Sequence, residues 1–134
     1  KQAPFLLEET NNILAELKKG NMVEEFNPML ASLFNKNVQP FLISWIKYNP
    51  QEEIKKLTIP CLVINGTKDL QVVVEDAQLL NEASPTSELQ IIENMNHIFK
   101  EIKGDMAENM ASYAKPDLPI MEKLVQVIAE FIKK

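Results

Sequence analysis

The first 57 residues carry apolar positions at helical spacing and no strand pattern. Between Leu6 and Leu17 the apolar side chains fall on one helical face, and two lysines followed by Gly20 end the segment in the way helices commonly end. Prolines suit the first turn of a helix, so three further short helices are predicted to begin at Pro28, Pro40 and Pro50. Residues 1–57 are therefore predicted to form a helical segment.

The pattern changes at Thr58. The continuous apolar run Cys61–Ile64 ends at Asn65-Gly66 and is typical of a short strand buried on both faces, as in parallel sheets. A helix marked by Ala77 and Leu80 follows, and then a second strand over Leu89–Ile92. The order strand, helix, strand predicts a crossover that makes the two strands parallel.

The rest of the chain is predicted to contain a loop and one helix. A polar, methionine-containing loop is expected over residues 94–119, and the spacing of Leu124, Val127, Ile128 and Phe131 predicts a final amphipathic helix. The predicted fold class is therefore α/β, with a helical segment over residues 1–57 followed by a βαβα unit with two parallel strands over residues 58–134.

Composition narrows the possible functions. The 134 residues suit one compact domain, the net charge is −5, and all 14 basic residues are lysine. An acidic chain without arginine lacks the forked donor that reads guanine and phosphate, so nucleic-acid binding is not expected. One cysteine, Cys61, and one histidine, His97, exclude a disulfide framework within the chain and a zinc site that needs several imidazoles.

The same composition bears on the cellular location of the protein. No apolar run approaches the roughly 18 residues of a membrane span, so no membrane span is expected. A single cysteine within an apolar run is consistent with a reducing cytoplasm, and a cytoplasmic location is the expectation.

Two polar side chains follow the predicted strands where open α/β sheets hold their ligands. Asp69 comes after the first strand and His97 after the second. If the strands are parallel neighbours, both loops leave the same edge of the sheet and the two side chains can meet. A carboxylate that accepts the Nδ1 proton of an imidazole leaves Nε2 free to act as a general base. Simpler interpretations exist, since Asp69 also suits a turn or a helix cap and His97 a partly exposed loop.

The residues around this pair resemble α/β-hydrolases. The run from Ile59 to Val72, IPCLVINGTKDLQV, is similar to their acid-bearing strand and loop, and the run from Ile91 to His97, IIENMNH, is similar to their histidine loop. The surrounding chain, including VQPFLISW at residues 38–45, resembles bacterial serine hydrolases of the esterase and serine-aminopeptidase-like group. The resemblance implies that Asp69 and His97 are the acid and the base of a catalytic triad that needs no cofactor or metal.

One part of the family pattern is missing. The chain has no Gly-x-Ser-x-Gly motif, and in the family the nucleophile precedes the acid and the histidine. The resemblance therefore implies the C-terminal part of a hydrolase of small acyl esters or peptide-like substrates, with residues 1–57 as its lid or cap helices and residues 58–134 as the C-terminal part of its core. This part is expected to be inactive alone, and its partner is a missing N-terminal half. Because two strands make a poor sheet, the free edge of the Cys61–Ile64 strand predicts either joining with that half or self-association.

Further side chains have two interpretations each. The aromatic residues Phe41, Trp45 and Tyr48 recur at helical spacing, either as a lid that sets substrate choice or as core. The methionines at 95, 106 and 110 either line a pocket or fill gaps in the core, and core is the expectation.

Two other functions remain open from the sequence. The chain could be a binding or regulatory module with hydrolase-like architecture and no chemistry. It could also be a Rossmann-like domain in which Asp69 contacts a metal or a ribose, although it has no glycine-rich phosphate loop.

Overall fold

The computed structural model describes residues 4–134 and divides the chain into two compact units, Lys1–Asn49 and Pro50–Lys134. The division falls eight residues before the predicted boundary after residue 57, so that the short helix beginning at Pro50 belongs to the second unit. Within the described residues, strands occur only in the second unit.

The first unit is helical. Helix α1 spans Pro4–Lys18, a single 3₁₀ turn at Pro28–Leu30 leads into helix α2 at Ala31–Phe34, and helix α3 spans Gln39–Ile46. Asn27 caps the 3₁₀ turn, since its side chain accepts a hydrogen bond from the Met29 N–H at 3.0 Å. The helix starts predicted near Leu6, Pro28 and Pro40 are confirmed.

The core of the first unit combines one apolar cluster with one buried amide. The buried apolar residues are Leu6, Ile13, Leu17, Leu30 and Phe34. Gln39 is fully buried, and its Nε2 donates to the carbonyls of Val23 and Phe34 at 2.8 and 2.6 Å. A buried amide needs such partners, and these tie the irregular segment after α1 to α3.

The second unit contains a two-stranded parallel sheet and four helices. Helix α4 spans Pro50–Ile54, strand β1 spans Cys61–Gly66, helix α5 spans Val74–Ala83, strand β2 spans Ser87–Ile92, helix α6 spans Met106–Ser112 and helix α7 spans Glu122–Ile132. The strands pair in register from Cys61 opposite Ser87 to Gly66 opposite Ile92. The predicted α/β class with two parallel strands is confirmed at this level.

The interior of the second unit lies between the sheet and α7. Ile92, Met95 and Leu124 form its buried apolar cluster, and Ile64 packs against it. Strand β1 is less enclosed than predicted, because its residues from Cys61 to Ile64 are only half-buried and full burial begins at Asn65. The expectation that this strand is buried on both faces is therefore wrong for Cys61–Ile64.

Helix α6 was not predicted. Residues 94–119 read as one loop, yet Met106–Ser112 is helical. Asp105 caps the helix by accepting hydrogen bonds from the N–H groups of Ala107 and Glu108, at 3.0 and 3.1 Å. The apolar pattern could not indicate this helix, because its buried side chains are polar and its methionines face outward.

The methionines therefore differ in role. Met95 is buried in the core, as expected, but Met106 and Met110 are 67% and 61% exposed. The prediction that these two fill gaps in the core is wrong in the described residues. None of the helices in residues 4–134 combines the length and the apolar character that crossing a bilayer requires.

Candidate acid–base site

Asp69 lies in the tight turn that follows β1. Its N–H donates to the Gly66 carbonyl at 3.1 Å, which closes the turn at the end of the strand. One carboxylate oxygen, Oδ1, accepts hydrogen bonds from the N–H groups of Gln71 and Val72, at 2.8 and 3.0 Å. This is the turn-forming role open to any aspartate after a strand. It uses one oxygen and leaves Oδ2 for another partner.

The loop after β2 is joined to the Asp69 turn by two hydrogen bonds. The Lys68 N–H donates to the Met95 carbonyl at 3.0 Å, and the Asn94 N–H donates to the Thr67 hydroxyl at 2.8 Å. Asn94 itself has a φ of 61°, a left-handed conformation that asparagine tolerates better than most residues. The two loops consequently form one structural element at the carboxyl end of the sheet.

Gly66 makes this close approach possible. A Cβ atom at Gly66 would overlap the carbonyl oxygen of Met95. Only a residue without a side chain lets the end of β1 lie directly against the loop that carries His97.

The structure brings Asp69 and His97 together. His97 Nδ1 lies 2.9 Å from Asp69 Oδ2, a hydrogen-bond distance. The Asp69 side chain is 8% exposed and that of His97 is 38% exposed. In the described residues no hydrogen bond involves the other ring nitrogen, Nε2. The arrangement therefore has a shielded carboxylate behind a ring whose far edge is accessible.

The carboxyl of Asp69 is held in its ionised form. Burial raises its pKa, but the hydrogen bonds from the Val72 and Gln71 N–H groups and from the His97 ring outweigh that effect and lower the pKa below its ordinary value. An ionised carboxylate can only accept hydrogen bonds, so the ring nitrogen that faces it carries the proton. In the neutral tautomer that has its proton on Nδ1, the lone pair lies on Nε2, which can then accept a proton.

Sequence reasoning missed three polar residues beside this pair. Asn96, Asn109 and Ser112 are each at most 2% exposed and hydrogen bond to one another. The only signal in the sequence is the spacing of Asn109 and Ser112 on one face of a short helix, which is also common on solvent-exposed surfaces.

The surroundings of the pair hold neither a metal-ligand cluster nor a serine nucleophile in the described residues. No three side chains of the His, Cys, Asp or Glu type converge as metal ligands in the part of the chain that the structure describes. No serine hydroxyl of residues 4–134 is hydrogen bonded to His97; Ser44, for example, donates to the carbonyl of Phe41 within α3. No protein-family model matches this sequence, and comparison with curated proteins finds no significant similarity.

Proposed function

We propose that this chain supplies the acid and the general base of a serine hydrolase that cleaves esters or amides through an acyl-enzyme. Asp69 is the acid and His97 is the base. The observation that carries the proposal is the 2.9 Å contact between Asp69 Oδ2 and His97 Nδ1, formed at the carboxyl ends of two adjacent parallel strands.

The chemistry follows from the protonation state of the pair. His97 Nε2 takes the proton of a serine hydroxyl as its oxygen attacks the substrate carbonyl carbon, and gives that proton to the leaving group when the ester or amide bond breaks. Water then attacks the acyl-enzyme with the same nitrogen as base, and the serine regains its proton. Asp69 stabilises the imidazolium that forms in each step.

The nucleophile of this proposal lies on a segment that precedes Lys1. The chain has no Gly-x-Ser-x-Gly motif, and the hydrolases that it resembles place the nucleophile before the acid and the histidine. That segment would also supply the backbone donors that bind the oxyanion.

The free edge of β1 is where we propose that the remaining strands join the sheet. Hydrogen bonds of 3.1 Å run from the Cys61 N–H to the Thr86 carbonyl and from the Thr67 N–H to the Ile92 carbonyl, so odd-numbered residues of β1 face β2. Even-numbered residues direct their N–H and C=O groups outward. Strand β1 is also uniformly apolar until Asn65, as interior strands are, whereas β2 alternates with exposed polar residues, as edge strands do.

The first unit is proposed to act as a lid that sets substrate choice. The aromatic residues of the α3 region, Phe41, Trp45 and Tyr48, are 53%, 67% and 54% exposed. The rings of Phe41 and Trp45 contact each other with centroids 4.9 Å apart. An exposed aromatic cluster of this kind suits contact with an apolar acyl group.

Hydrolysis of a p-nitrophenyl ester tests the proposal. The complete protein, with the preceding segment, should hydrolyse the ester, and residues 1–134 alone should not. In the complete protein Asp69→Asn should lower kcat by about 10⁴-fold, since the carboxamide favours the wrong tautomer of the ring, and His97→Ala should lower it at least as much.

Asp76→Asn is the matched control. It makes the same chemical change at an exposed position on α5 and should leave kcat unchanged. Near wild-type rates in Asp69→Asn and His97→Ala would overturn the assignment. A complete protein without any hydrolysis would favour a binding or regulatory module instead.

A further inference from the structure

Helix α6 buries polar side chains where an amphipathic helix would bury apolar ones. Asn109 and Ser112 are 2% exposed, whereas Met106 and Met110 lie in solvent. Burying an amide and a hydroxyl is unfavourable unless their hydrogen bonds are satisfied. The contacts of these two side chains therefore indicate what the helix is held against.

The Asn109 side chain connects the two loops of the acid–base site. Its Nδ2 donates to the carbonyl of Lys68 at 2.6 Å, and its Oδ1 accepts a hydrogen bond from Asn96 Nδ2 at 3.0 Å. Lys68 immediately precedes Asp69, and Asn96 immediately precedes His97. One amide thus bonds to the residue before the acid and to the residue before the base.

Both the nitrogen and the oxygen of the Asn96 side-chain amide are hydrogen bonded. Its Nδ2 also donates to Ser112 Oγ at 2.8 Å, and its Oδ1 accepts from the Lys100 N–H at 2.9 Å. Ser112 Oγ in turn donates to the Asn109 carbonyl at 2.6 Å. The network of Asn96, Asn109 and Ser112 leaves no buried side-chain atom of these three residues without a partner. A completed buried network of this kind makes a local structure rigid.

Two exposed contacts strengthen the attachment of α6 to the loop that follows β1 and carries Asp69, here called the acid loop. Lys68 Nζ donates to the Gly104 carbonyl at 3.0 Å, just before the helix, and Gln71 Nε2 donates to the Tyr113 hydroxyl at 3.2 Å, just after it. The acid loop is thereby held against α6 at both ends and at Asn109.

We infer that Asn109 is a positioning residue that sets the separation of the Asp69 carboxylate and the His97 imidazole. It touches no reacting atom, and its effect on catalysis rests on the function proposed above. Without it, each loop loses a hydrogen bond next to its functional residue. A displacement of about 1 Å in such a site lowers the reaction rate by about 10²-fold.

The first test uses residues 1–134 and does not depend on catalysis. In proton NMR the His97 Nδ1–H should give a far-downfield signal that exchanges slowly and is absent in Asp69→Asn. Asn109→Leu, a change of similar volume that removes both hydrogen bonds, should abolish or broaden this signal. Val127→Ala, which removes buried apolar volume from α7, should retain it and so controls for general destabilisation. An unchanged signal in a folded Asn109→Leu variant would contradict the inference.

A second variant tests the inference if Asn109→Leu does not fold. Asn109→Ala removes both side-chain hydrogen bonds and adds neither bulk nor charge, so a weakened or broadened signal is expected. A signal as strong as in the wild-type chain would also contradict the inference.

The second test measures kinetics in the complete protein. Asn109→Leu should lower kcat about 10- to 100-fold with little change in KM, whereas Val127→Ala should change neither. Equal kinetics for the two variants would overturn the positioning role. If the wild-type complete protein has no hydrolase activity, the proposed function fails, and the NMR comparison alone decides whether Asn109 positions the pair.

Discussion

Both oxygens of the Asp69 carboxylate are hydrogen bonded. Oδ1 is bound by two N–H groups of its own turn, and Oδ2 by the His97 ring. Rotation of the carboxylate would break bonds on both sides, so the orientation of the ring is determined by the turn after β1. This is how a local turn becomes part of an acid–base pair.

The lowered pKa of Asp69 predicts a pH dependence of stability. The unfolded carboxyl has a pKa of about 3.9, and the folded one lies below it. Its ionised form therefore contributes stability above about pH 4, and this contribution is lost as the pH falls through the folded pKa. The free energy of unfolding in urea, measured from about pH 2 to 6 for wild type and Asp69→Asn, should differ at the upper end and converge at the lower. A difference that is constant over this range would contradict the prediction.

Gly66→Ala should destabilise the second unit. The added methyl group would overlap the Met95 carbonyl, and main chain cannot move aside cheaply. We expect a loss of about 1–3 kcal/mol in the free energy of unfolding, measured in urea. Gly104→Ala is the control, because its methyl group would meet only the flexible end of the Glu108 side chain. Equal stability of the two variants would contradict the close approach of β1 to the His97 loop.

Single residues differ in how far the sequence predicts them. Asp69 and His97 could be predicted as a pair because each follows a strand, and strand ends are visible in the apolar pattern. The role of Asn109 could not, since its partner Lys68 lies 41 residues earlier and nothing local distinguishes a bridging asparagine from an exposed one. Their catalytic roles stay predictions.

At the scale of elements, the apolar period predicts helices and strands only where apolar side chains are buried. It found α1, α5, α7 and both strands for that reason. It missed α6, whose buried side chains are Asn109 and Ser112 and whose only local sign is the cap at Asp105. The element that the pattern cannot indicate is the one that holds the candidate site together.

The sequence allows the aromatic residues of the α3 region to form either a lid or part of the core, and these side chains are exposed within the described chain. If they form a substrate-facing lid, Trp45→Ala in the complete protein should change the ratio of kcat/KM values for short- and long-chain p-nitrophenyl esters. Phe5→Ala, at an exposed aromatic residue of α1, is the control and should leave the ratio unchanged. An unchanged ratio in Trp45→Ala would favour a purely structural role for this surface.

In the molecule as a whole, the edge of the sheet formed by β1 is unpaired within the described residues. Strand β1 pairs with β2 alone in the described residues, and a free strand edge is a template for further pairing. The extent of the sheet could not be predicted from burial patterns, because β1 reads as an interior strand and has only one neighbour here.

We therefore expect residues 1–134 to self-associate when the preceding segment is absent. Sedimentation velocity should show a concentration-dependent coefficient. Leu62→Pro removes an outward N–H of β1 and should weaken association by up to about tenfold relative to Leu62→Ala, which loses the same side chain and keeps the N–H. A monomer at every concentration would contradict this expectation.

We propose that Asp69 and His97 are the acid and the base and that the nucleophile is a serine outside residues 1–134. The decisive experiment is labelling of the complete protein with a fluorophosphonate, followed by mass spectrometric identification of the modified residue. We expect modification of a serine in a Gly-x-Ser-x-Gly motif before Lys1, and loss of labelling in His97→Ala. Modification of a residue within residues 1–134, or labelling that is unaffected by His97→Ala, would overturn the proposal.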